Sequence, residues 1–132
     1  MSGIGKSIVT EEEFKAWVQA YLLSQNFARI KYGTYTGDGA ASQAITGVGF
    51  APQIVIITLD GAGADSGVWF CTKQMAADEC QEMISAGAAT ASIDKVADHI
   101  IALGTDGFTV DDGGADAHPN KNTQVYDYLA IG

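Results

Sequence analysis

The feature that most constrains this chain is the run APQIVIITL at residues 51–59. From Ile54 to Thr58 every residue is β-branched, and such side chains are stiff at χ1 and fit a pleated surface better than a helix. Pro52 bounds the run on one side and Asp60-Gly61 on the other, so it predicts a strand. Its near-continuous apolar character predicts burial on both faces. A strand like this leaves its backbone donors and acceptors unpaired unless the chain supplies neighbours. Short apolar or alternating runs do so at ARIKYGTYTG, QAITGVGF, SGVWFCT, DHIIAL, GFTV and QVYDYLAI. Together these predict seven strands, punctuated by turns drawn from the 16 glycines of the 132 residues. The pattern is that of a mainly β chain, an antiparallel β-sandwich of jelly-roll-like type. Lys73 to Lys95, containing AADECQEMISAGAATAS, has neither period clearly and reads as a long loop with one turn of helix.

Before the first strand the period changes. Thr10 and Glu13 form a capping box, with Val9 and Phe14 in the staple positions around it. Glu11, Glu12 and Glu13 suit the positive end of a helix dipole. Phe14, Trp17, Val18, Tyr21 and Leu22 then recur at helical spacing, which predicts an amphipathic helix over 11–26. The chain thus divides into an arm at 1–10, a helix at 11–26 and a β-sandwich at 27–132. The helix stripe either packs on the domain's own sheet or forms an interface.

Composition narrows the partners. Asp and Glu number 16 against 7 Lys and Arg, a formal net charge of -9. No window gathers basic residues, so nucleic acid is not an expected partner. No apolar run approaches the length of a membrane span and the first residues lack the apolar region of a signal peptide, so neither membrane nor secretion is expected. Cys71 and Cys80 match no zinc spacing and read as reduced thiols of a protein made in a cytoplasm.

Catalytic candidates are few. His99 opens an apolar strand and reads as a structural histidine, while His118 before Pro119 reads as an exposed turn residue. Cys71 lacks a basic neighbour in sequence that would activate it. Gly37-Asp38-Gly39 has no Lys-Ser/Thr and precedes no helix, so it is not a phosphate loop. The one contender is the acidic segment. Asp111, Asp112 and Asp116 could offer hard oxygens to Ca²⁺, but their spacing is not that of an EF-hand, and Asp and Gly are also the residues that turns require. No catalytic residue, cofactor or metal is expected.

KYGTYTGDGAASQAITGVGFAPQIVII, then GVWFCTKQM, then DHIIALGTDGFTVDDGGADAHPNKNTQVYDYLAIG, resembles a module of bacteriophage tail-fibre and other virion surface proteins. The resemblance spans residues 31–132 with all segments in order. It implies a compact β-sandwich commonly assembled as a trimer, with no catalytic residues to carry over. It also implies that Gly107–Val110 is a hairpin strand, Val125–Ile131 the closing strand, and the acids between them the hairpin's cap.

In the resembling proteins the module ends a long fibre, whereas here a short arm and one helix precede it. That setting fits a phage capsid decoration, or cement, protein: a homotrimer on the virion surface whose partner is the major capsid protein. Ile4, Ile8 and Val9 of the arm and Phe14, Trp17, Val18 and Tyr21 of the helix are then the expected capsid or subunit contacts. The alternative keeps the fold and changes the task, making the chain a tail-fibre or tail-tip module that binds a glycan or host surface through Gly61–Ser66 and Asp111–Asn122. Neither of those loops contains an aromatic residue to stack on a sugar.

Overall fold

The computed structural model describes residues 10–25, 27–59, 65–86, 90–112 and 118–132. Ile4, Ile8, Val9 and Asp116 lie outside these residues. Among the described residues one helix, α1 (Glu11–Ser24), precedes nine strands: β1 (Ile30–Thr36), β2 (Gln43–Ile45), β3 (Ile54–Leu59), β4 (Asp65–Thr72), β5 (Glu79–Ala86), β6 (Thr90–Ala97), β7 (Ile100–Leu103), β8 (Phe108–Val110) and β9 (Val125–Ile131). They form a six-stranded sheet in the order β1-β9-β3-β4-β5-β6 and a three-stranded sheet in the order β2-β8-β7. Every pairing is antiparallel, and the fold is mainly β, an antiparallel sandwich as expected.

The core lies between the sheets and follows the two-residue period of the strands. Val55, Ile57 and Leu59 of β3, Trp69 and Cys71 of β4, and Tyr126, Tyr128 and Ala130 of β9 face inward from the large sheet. Ile45 of β2, Ile100 of β7, and Phe108 and Val110 of β8 meet them from the small one. Aromatic rings join the layers. Tyr35 stacks on Tyr126 at 5.1 Å, Trp69 meets Tyr126 edge-on at 6.1 Å, and Phe108 meets Tyr128 edge-on at 5.1 Å. Such pairs add about 0.5–1.5 kcal/mol each beyond the area they bury.

The structure corrects four sequence expectations. The segment read as a loop between Lys73 and Lys95 is instead the hairpin β5–β6, with Met83 opposite Ile93 and Cys80 opposite Val96. Its alternation is obscured because Glu82 takes an inward position, where sequence reasoning expects an apolar residue. Second, β3 alternates between buried and half-buried positions and is not buried on both faces, because the small sheet covers only one side. Third, β8 does not pair with β9: it lies between β2 and β7, while β9 lies between β1 and β3. The acidic segment therefore crosses from one sheet to the other and is not the cap of a hairpin. Fourth, His118 is half-buried, and among the described residues its enclosed Nδ1 has no hydrogen-bond partner.

Tyrosine hydroxyls fix the far end of that crossing. Tyr35 donates to the Pro119 carbonyl, and Tyr126 donates to the His118 carbonyl at 2.8 Å while accepting from the Lys121 amide at 3.0 Å. At the other end of the chain, Arg29 and Gly132 exchange two backbone hydrogen bonds that continue the β1–β9 ladder.

Candidate functional site

The outer face of the six-stranded sheet is where the chain departs from an ordinary sandwich. An antiparallel sheet with one face on the core normally turns polar residues to water on the other. Here the register sets Tyr32, Leu129, Ile56 and Phe70 side by side across four strands. The neighbouring row continues through Val68, Met83 and Ile93. Tyr32 is 75% exposed and Ile93 71%, while Ile56, Val68, Phe70 and Leu129 are half-buried. The first row ends in polar residues, Gln81 and Lys95, and a salt bridge of 2.6 Å joins Lys95 to Glu79. Apolar patches of this kind mark places where something else docks.

The helix presents a second uncovered surface. Thr10 caps it as the sequence predicts, its hydroxyl accepting from the Glu13 amide at 3.1 Å. Lys15 bridges back to Glu11 at 2.7 Å. No residue of α1 is buried, so the reading in which its stripe packs on its own sheet does not hold. Phe14, Tyr21, Leu22 and Leu23 are about half exposed and Trp17 is 64% exposed, whereas Val18 is half-buried. The Trp17 and Tyr21 rings, one turn apart, stack on each other at 5.7 Å and so stand together on the helix surface. A helix of 14 residues is marginal in water by itself and draws most of its stability from packing an apolar face.

The acidic segment is built differently. Asp111 and Asp112 are half-buried, and the Asp111 amide donates to the His99 carbonyl at 2.9 Å. Behind them lies a small polar centre inside the sandwich. His99 places Nδ1 2.9 Å from the Ala97 carbonyl and Nε2 3.3 Å from a carboxylate oxygen of Glu82, itself buried. Desolvation lowers the pKa of His118, and His99 and Lys121 act in the same direction against Asp112 and Asp111. Among the described residues no group of three or more His, Cys, Asp or Glu is arranged to hold a metal ion. Among them also, no helix is long and apolar enough to cross a membrane.

Across the sandwich, Asn120 is fully buried and holds the Gly37–Ala40 turn through three hydrogen bonds. Its Oδ1 accepts from the Asp38 amide, and its Nδ2 donates to the Asp38 carboxylate and to the Ala40 carbonyl. The Ala40 amide and Asn120 together lower the pKa of Asp38. The turn that resembled a phosphate loop in composition is thus a closed structural turn. Sequence reasoning missed Asn120 because a polar residue between Pro119 and Lys121 has no local signal of burial.

The geometry defines an antiparallel β-sandwich with an unusually apolar outer face and a protruding amphipathic helix. The chain belongs to the family described as domain of unknown function DUF7483, which matches residues 24–130. That match covers both sheets and stops short of the helix stripe. No curated protein and no solved structure matches the chain.

Proposed function

We propose that this chain is a structural virion protein, a phage capsid decoration protein that sits on the outer head surface as an oligomer of identical copies. One observation carries the reading: the helix stripe and the outer sheet face are both apolar and both uncovered in the single chain. Copies of the same chain are the occupants that bring such surfaces together in fixed proportion. The order of motifs shared with virion surface modules points the same way. The formal charge of -9 keeps the exposed remainder soluble at the high local density of a shell.

In this assembly Phe14, Trp17 and Tyr21 supply the aromatic anchors of the subunit contact, the residue types that dominate interface energetics. The arm residues Ile4, Ile8 and Val9 are assigned to the major capsid protein on sequence grounds alone. Cryo-electron microscopy of particles that carry the protein tests the assignment. Regular density over the icosahedral shell is the expected result, and density confined to the tail tip overturns it.

A further inference from the structure

Cys71 of β4 and Cys80 of β5 are both buried and both free. The register of these strands pairs Trp69 with Glu82 and ends at Phe70 with Gln81, and Cys71 and Cys80 occupy the positions one step beyond that last pair, close enough to interact electrostatically. Both point inward, each two residues along its strand from a buried neighbour, Trp69 and Glu82 respectively. Opposed residues of an antiparallel pair stand about 4.5–5.5 Å apart at Cα, within the roughly 4.4–6.8 Å that a disulfide spans. The Cys71 thiol reaches to 3.6 Å from the Glu79 carbonyl, the peptide group that leads into Cys80.

The two thiols differ in access. A cavity of about 320 Å³ is bounded by Cys71 and Thr72 of β4, by Lys73 and Met75 to Asp78 of the β4–β5 connection and by Ile100 to Leu103 of β7. Cys71, 6% exposed, forms part of its wall, whereas Cys80 is 0% exposed and does not line it. An attacking thiol that a small molecule can reach, with a second thiol facing it across the ladder, is the arrangement that thiol–disulfide exchange requires.

We infer that Cys71 and Cys80 are a latent dithiol that closes to a cross-strand disulfide when a low-molecular-weight disulfide, of the oxidised glutathione class, enters this cavity. The Cys71 thiolate attacks one sulfur of the oxidant, forming a mixed disulfide and releasing one small thiolate. The Cys80 thiolate then attacks Cys71 Sγ, breaks the mixed disulfide and releases the second. The two protons lost by the cysteines pass to the two departing thiolates. One protein dithiol and one small disulfide thus become one protein disulfide and two small thiols. Burial raises the pKa of both cysteines, that of Cys80 to about 11, so the exchange is slow at neutral pH and quickens as pH rises.

The test incubates the full chain with oxidised glutathione in mildly alkaline buffer, quenches with acid, and maps the cysteines by mass spectrometry after alkylation in denaturant. The unsubstituted chain is expected to lose both free thiols and keep no glutathione, with the peptides of Cys71 and Cys80 joined. Cys80→Ala is expected to retain one glutathione on Cys71, and Cys71→Ala to retain none. The oxidised chain melts higher by about 5 °C, because even a short closed loop restricts the unfolded chain, and a reducing agent reverses the shift. Two thiols still open to alkylation, or a lasting glutathione adduct on Cys71 of the unsubstituted chain, overturns the inference.

Discussion

Asn120 shows how one buried polar side chain positions two distant segments. Its amide closes the turn at Gly37–Ala40 while its neighbour Pro119 receives the Tyr35 hydroxyl, so β1 and the segment entering β9 are tied together twice. Asn120→Ala leaves the Asp38 amide and the Ala40 carbonyl without this partner and is expected to cost about 2–3 kcal/mol, read as a lower midpoint in chemical denaturation. Gly107 is a second such point. A Cβ there would meet the Ile45 carbonyl, which is backbone held in the β2–β8 ladder and cannot step aside. Titration adds a further residue-scale effect. The His118 pKa is lowered from 6.5, so the folded state binds fewer protons there than the unfolded chain. Its contribution is present above pH 6.5 and is lost as pH falls from there through the lowered folded value. His118→Asn should therefore flatten the decline of Tm between about pH 7 and 5; an unchanged slope would assign that decline to other groups.

At the scale of elements the helix and the outer sheet face are separable. Replacing Trp17 and Tyr21 together by glutamate keeps the helix-forming pattern but removes the aromatic surface. The expected outcome is loss of self-association with the sheet signal in circular dichroism unchanged, since no residue of α1 is buried in the single chain. Thr10→Ala removes the cap and should lower helix content at a cost of about 1 kcal/mol. Ile93→Lys tests the sheet face in the same way, because Ile93 is 71% exposed and its loss creates no cavity. These elements were unequally legible in the sequence. The Thr10 cap, the strand character of the β-branched run of β3 and the alternation that buries Tyr126, Tyr128 and Ala130 each have a local signature, and each is present in the structure. The β5–β6 hairpin does not, because Glu82 is inward only by virtue of His99, which arrives from the connection to β7. The partners of β8 were hidden for a similar reason: three residues of strand fix no neighbour, and the pairing depends on β2, more than 60 residues earlier.

For the whole molecule, the decisive property is which surface remains uncovered after folding. The sequence shows an apolar stripe on the helix, and there the candidate contact residues Phe14, Trp17 and Tyr21 were readable from spacing. It does not show the outer face, because Tyr32, Ile56, Phe70 and Ile93 come from four separate strands and become neighbours only through the ladder. Nor does it show that the acids Asp111 and Asp112 belong to a crossing between sheets, since that depends on β8 and β9 entering different layers. The most direct measurement is the mass of the purified chain in solution by light scattering, across a range of concentrations and at physiological salt. The account predicts a stable multiple of the 13.8 kDa chain, three copies by the virion resemblance, that dissociates when Trp17 and Tyr21 are replaced. A mass of one chain at every concentration, with the helix still formed, would contradict it.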